Sequence, residues 1–107
     1  VIVEERNYVL VPGGTPQYLD QWHRTGREPQ IRHLGEPLGV YTVEIGELNT
    51  LVYHWQYADF ADRASRRARL AKDPDFAVFR TKVRSFLVSQ ASRILLPAAR
   101  TGSPTPP

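Results

Sequence analysis

This sequence predicts an α+β sandwich, one antiparallel sheet with helices on a single face, on three observations. Runs rich in β-branched and aromatic residues recur at 1–11, 37–46, 49–57 and 86–96, and they alternate as half-buried strands do. Helical patterns with clear start signals fall between the first and second runs and between the third and fourth. The chain has 107 residues and no Cys, so one domain must rest on one hydrophobic core without disulfides or thiolate chemistry. The order is β-α-β-β-α(α)-β, the split βαβ or ferredoxin-like arrangement, and right-handed crossovers put both helix sets on the same side of the sheet.

The first strand, Val1 to Val11, is stopped by Pro12-Gly13-Gly14. Thr15-Pro16 then starts a helix, with Thr15 as the cap and Pro16 at the first helical position. Tyr18, Leu19 and Trp22 give it an apolar face, Gly26 and Pro29 break or bend it, and Ile31 and Leu34 mark a second piece ended by Gly35. Strands two and three form a hairpin around Gly46, with Asn49 stabilising it. On strand three Leu51, Tyr53, Trp55 and Tyr57 share one face, and Val52, His54 and Gln56 share the other. Asp59 caps a helix over 60–72, whose Ala61, Ala64, Ala68 and Ala71 form a small-residue stripe suited to packing on the sheet. Asp73-Pro74 starts a third helix with Phe76, Phe79 and Val83 at buried-face spacing. Residues 1–97 form the domain, and the Pro-rich 98–107 reads as a disordered tail.

Helices on one side leave the other sheet face uncovered, and such a face needs a partner or a ligand. The economical solution is a second copy packed sheet to sheet, so the expected species is a homodimer or a higher oligomer built from it.

Composition excludes several classes. No apolar run approaches the roughly 18 residues that span a bilayer. No basic-then-apolar signal pattern opens the chain, and the expected address is the cytoplasm of a bacterium, given twelve Arg against two Lys with frequent Ala and Pro. Net charge is +3, and Arg63, Arg66, Arg67 and Arg69 cluster on one helix without interleaved aromatics. That pattern is a solvated helix face and carries no nucleic-acid platform. Arg63 and Arg67 are one turn apart, placed either to pair with Asp59, Asp62 or a neighbour, or to seal a pocket mouth. His23, His33 and His54 have no ligand-like spacing, so no metal is expected, and no nucleophile or phosphate-loop motif implies a cofactor. His33, just before Gly35, fits a helix cap better than chemistry.

Arg32-His33-Leu34-Gly35, Gly39, Thr42-Val43-Glu44-Ile45-Gly46, Leu48-Asn49, Trp55-Gln56-Tyr57, Arg63 and Arg67 together resemble the NIPSNAP family. Glu4-x-Arg6-x-Tyr8 and Gln90 with Arg93-Ile94-Leu95 extend the likeness over about residues 2–97. The resemblance implies a dimeric α+β barrel. It implies little about chemistry: bacterial members are mostly uncharacterised, and animal members are associated with mitochondria and protein interactions. Related barrels include cofactor-independent oxygenases and isomerases acting on hydrophobic rings. Tyr53-His54 replaces the family's usual His-Leu before the Trp, and Ala91-Ser92 replaces Glu-Asn.

If Val52 and His54 pack under the helices, His54 sits where an apolar residue is usual, and Asn49, Tyr53, Trp55 and Tyr57 face the barrel interior. Arg6 and Tyr8, beside Glu4, and Thr42 and Glu44 join them there. These eight residues (Arg6, Tyr8, Thr42, Glu44, Asn49, Tyr53, Trp55, Tyr57) are the candidate ligand wall. Arg6 and Glu44 form either a buried ion pair or a substrate clamp, with Glu44 a potential general base. Trp55 and Tyr57 either fill the core or line the ligand. Two functions follow: a small-molecule-binding protein or cofactor-independent enzyme, or an interaction module with a filled interior.

Overall fold

The computed structural model describes residues 1–99, so most of the expected tail lies outside the described residues. Four strands and four helices follow in order: β1 (Ile2–Leu10), α1 (Thr15–Gln21), α2 (Arg27–Leu34), β2 (Gly39–Thr42), β3 (Thr50–Tyr57), α3 (Phe60–Ala71), α4 (Pro74–Val83) and β4 (Leu87–Leu95). A π-helical turn, Trp22–Gly26, joins α1 to α2, and a 3₁₀ turn, Arg84–Phe86, leads into β4. The sheet order is β2-β3-β1-β4 with every pair antiparallel, which is the expected ferredoxin-like topology.

Local chemistry explains most element ends. Asp59 accepts from the Asp62 N–H at 2.7 Å while Asp62 accepts from the Ala58 N–H at 2.9 Å, a reciprocal cap on α3. Asp73 caps α4 through the Asp75 N–H at 2.8 Å. Thr15 does not cap α1: Gly14 holds that position, Thr15 is already helical, and Pro16 follows it. The expected break at Gly26 and Pro29 takes the form of the π turn, where the Arg27 N–H reaches back to the Trp22 carbonyl. Pro29 then falls in the first turn of α2, where a missing N–H costs least.

Strand two is shorter than the 37–46 run suggests. Pairing stops at Thr42 opposite Leu51, and residues 43–49 form an exposed loop. Asn49, in the left-handed region at φ 58°, turns the chain out of that loop. Its carbonyl accepts from the Leu10 N–H at 2.8 Å and its Oδ1 from the Gly13 N–H at 3.3 Å, so it ties the hairpin to the end of β1.

The two sheet faces are the reverse of the expectation. Leu51, Tyr53, Trp55 and Tyr57 lie buried under the helices together with Glu4, Tyr8 and Leu10, while Val52, His54 and Gln56 sit on the open face. Aromatic packing, with Trp22, Tyr18 and Phe79 supplied by the helical layer, decides the matter. Trp22 meets Tyr53 edge-on at 5.3 Å, Tyr8 meets Tyr53 at 5.6 Å, and Tyr18 meets Phe79 at 5.6 Å, whereas Val52 and His54 offer far less area to bury. Helix α3 is reversed as well. Its Ala61, Ala64, Ala68 and Ala71 stripe is exposed, and Leu70 with the stems of Arg63 and Arg67 faces the sheet.

Gly26 marks the tightest helix contact, since a Cβ there would lie 2.7 Å from the Phe79 ring. Gly26→Ala should cost about 1–3 kcal/mol in urea unfolding through overpacking. An unchanged midpoint would mean that Phe79 swings aside freely.

Candidate functional site

The site is built around Glu4, which is 0% exposed although it is charged. Strand β1 carries it to the middle of the sheet, opposite Trp55 on β3 and Ile94 on β4. Five side chains converge on its carboxylate. Arg63 Nη2 donates at 2.7 Å, Arg67 Nε at 3.1 Å, Arg6 Nη1 at 3.2 Å, Tyr57 Oη at 3.0 Å and Ser92 Oγ at 2.6 Å. Burial alone would raise the Glu4 pKa, but Arg63, Ser92, Arg67 and Arg6 together hold it far below the usual carboxylate range. Burial pushes the Tyr57 phenol up to about 12, so it stays a donor. Three guanidinium groups meet one carboxylate, and the cluster is net cationic.

Beside this cluster, between the sheet and helices α3 and α4, opens a cleft of about 340 Å³. Arg6, Arg67 and Gln30, all largely buried, form its inner end. Tyr8, Tyr18, Leu70, Phe76, Phe79, Val83 and Leu87 wall it, and the exposed Arg80, Arg84 and Gln90 rim it. No Asp or Glu lines it. Arg6 is oriented twice over, giving its Nε to Tyr8 Oη at 2.8 Å and its Nη1 to Glu4. Gln30 is set by Trp22, whose indole N–H donates to Oε1 at 2.6 Å. The π turn makes that contact possible by bringing Trp22 and Gln30 to one side of the helix.

Of the eight expected wall residues, Arg6 and Tyr8 line the cleft. Tyr53, Trp55 and Tyr57 lie behind it in the core rather than in the interior of a sheet-to-sheet barrel. Burial pushes the Tyr53 phenol up strongly, and its hydroxyl and the Trp55 indole N–H have no partner among the described residues. Thr42 and Glu44 are exposed and do not line the cleft, and Asn49 is the turn residue already described. The expected Arg6–Glu44 pair does not form, because Glu4, two residues along the same strand face, takes Arg6 instead. Arg63 and Arg67 are not part of a solvated face: Glu4 draws both inward, while Arg66 pairs with Asp62 at 2.8 Å.

Sequence reasoning did not select Gln30, Tyr18, Phe79, Arg80 or Arg84. The one available signal was Gln30 at a helix position otherwise suited to an apolar residue.

Two of the three histidines, His33 and His54, hold structural contacts. His33 Nε2 sits 2.7 Å from Asp73 Oδ2, which Arg32 also reaches at 2.9 Å, so α2 is pinned to the cap of α4 and not to its own end. On the open face His54 Nε2 lies 3.0 Å from Glu5 Oε1, and Arg93 Nε donates to Glu5 Oε2 at 2.7 Å. No group of three or more His, Cys, Asp or Glu suited to a metal occurs among the described residues, and no described helix is long and apolar enough to cross a membrane.

Glu4→Gln should cost about 3–5 kcal/mol in urea at neutral pH, because it strands three guanidinium groups around a neutral amide. A loss below about 1 kcal/mol would show that the cluster does not anchor α3. Arg93 first, then His54, lowers Glu5 from 4.5 to about 2. A depressed folded-state pKa stabilises above the unfolded value and is lost as pH falls through the folded one. Stability measured from pH 4.5 down to about 2 should therefore fall, and Glu5→Gln should flatten that part of the profile. Parallel profiles for both proteins would refute the assignment.

Comparison with known proteins agrees with this fold. The family model described as NIPSNAP matches residues 3–101. A NipSnap homolog of Dictyostelium discoideum is 32% identical over 94 residues, covering 88% of this chain and 41% of that protein. The mouse NipSnap homolog 3B is 32% identical over 105 residues, covering 94% of this chain and 42% of that protein. The chain thus spans about two fifths of the length of these curated relatives. Among solved structures, a NIPSNAP family protein of unknown function from Agrobacterium tumefaciens is 38% identical with a TM-score of 0.89, covering 94% of this chain and 90% of that one. A putative antibiotic biosynthesis monooxygenase from Nitrosomonas europaea shares the fold at a TM-score of 0.66 and 13% identity, covering 92% of this chain and all of that one. On its family match and on relatives of this identity and coverage, the chain belongs to the NIPSNAP family.

Proposed function

We propose that this chain binds a small, partly hydrophobic molecule in the cleft between the sheet and helices α3 and α4. The carrying observation is the cleft itself: about 340 Å³, walled by aromatic and aliphatic side chains, with oriented polar groups at one end. That combination is the common form of a small-molecule site, and the volume lies at the lower end of the usual range. A cofactor-independent conversion of the bound molecule is the enzymatic form of the same reading, with Tyr8 and the inner arginines as proton donors and charge stabilisers.

The working unit in this reading is a homodimer joined by the open sheet faces. Val3, Val9, Val52 and Leu95 supply apolar area there around the Glu5–His54–Arg93 cluster. The interaction-module reading is favoured by the loop after β2, where Ile45 is 94% exposed and Leu48 58%. An apolar tip of that kind suits a protein surface.

Thermal unfolding with a panel of naphthalene and indole derivatives tests the first reading. A ligand at 100 times its Kd should add about 2.7 kcal/mol of stability, and Ala71→Trp, which fills the cleft from an exposed position, should remove that gain. Equal gains in both proteins would place the ligand elsewhere, and no gain across the panel would favour the interaction module. Light scattering should give twice the chain mass of 12.2 kDa, and Val52→Glu should return it to one. A stable monomer of the unaltered protein would sink the dimer.

A further inference from the structure

We propose that the molecule received by this cleft carries a carboxylate, seated at the inner end against Arg6, Arg67 and Gln30. The inference rests on the cleft being a binding site and specifies what it selects. Glu4 anchors both arginines from behind. Arg6 commits Nε to Tyr8 and Nη1 to Glu4, and Nη2 has no hydrogen-bond partner among the described residues. Arg67 commits Nε to Glu4 and Tyr57; its buried Nη2 lies 3.0 Å from Glu4 Oε1 as an ion pair without a hydrogen bond, and Nη1 has no partner among the described residues. Gln30 has a fixed orientation, because an indole N–H can only donate and so must face the amide oxygen. Its Nε2 is then a third donor with no partner among the described residues.

The inner end therefore presents N–H groups and no carboxylate acceptor. One free Nη on each of two guanidinium groups matches the two oxygens of a carboxylate, a pairing that planar guanidinium geometry favours. Charge points the same way. Glu4 neutralises one of the three arginines that surround it, and Arg80 and Arg84 add positive charge at the rim. An anion in the cleft removes repulsion among these cations, which a neutral ligand cannot do. The remaining wall, including Tyr8, Tyr18 and Phe79, suits an apolar body, and Arg80 already lies 6.0 Å over the Phe76 ring at the entrance.

Isothermal titration of the full chain with 2-naphthoate, 2-naphthamide and 2-naphthyl phosphate tests the assignment. Naphthoate should bind at least tenfold more tightly than the isosteric amide. Gln30→Glu, which keeps the acceptor for Trp22 but places a carboxylate inside the cleft, should abolish that preference, and a cooperative thermal transition reports an intact fold. Equal affinities of acid and amide for the unaltered protein would overturn the carboxylate inference and leave the cleft as a neutral-ligand site. A tighter phosphate would overturn it in favour of a dianion. Binding of none of the three at millimolar concentration would overturn the binding-site reading and this inference with it.

Discussion

One buried carboxylate organises this molecule. An ionised group taken out of water must be compensated nearly completely, and Glu4 meets that demand by drawing in three guanidinium groups, a phenol and a serine hydroxyl from β1, β3, α3 and β4. The consequence is architectural. Helix α3 must lie with Arg63 and Arg67 toward the sheet, so its alanines face outward, and Ser92 must stand beside the carboxylate on β4.

The same cluster prepares the site. Charge compensation here is more than complete, and the surplus is positive and directed into the adjoining cleft. Arg6 and Arg67 have long side chains with many rotamers, yet both are already held by Glu4, Tyr8 and Tyr57. A ligand that meets them loses little further side-chain entropy, which is the physical meaning of preorganisation. The π turn at Trp22–Gly26 performs a parallel task for Gln30 by bringing an indole donor to its amide oxygen. Structural and binding roles are thus shared among the same few residues, and substitutions within the cluster will move stability and affinity together.

Family membership accounts for the fold. The NIPSNAP match covers nearly the whole described domain, and solved relatives at 32–39% identity superpose closely on it. The more distant likeness to a monooxygenase, at 13% identity, speaks for the shared sandwich alone. Chemistry has to be read from the cleft, where Tyr8 and the inner arginines stand, and not from the fold.

The sequence by itself determined the element order, the antiparallel four-stranded topology, the two aspartate caps and the family. These are local or pattern-level features: alternation, capping chemistry, turn residues and a specific motif set each act within a few positions. It also grouped Glu4, Arg6 and Tyr8 with Tyr53, Trp55 and Tyr57 on one face. Only the tertiary structure decided which way that face points. Alternation assigns residues to two sides of a strand but cannot name the side that helices cover, and both sides of β3 carry residues able to be buried. The answer depended on rings contributed by Tyr18, Trp22 and Phe79, far away in the chain. The partner of Arg6 was hidden for a related reason. Glu44 was equally plausible by composition, but its loop left the sheet, whereas Glu4 lay on the same strand face with Arg63 and Arg67 arriving from some sixty residues downstream, a convergence that only folding creates.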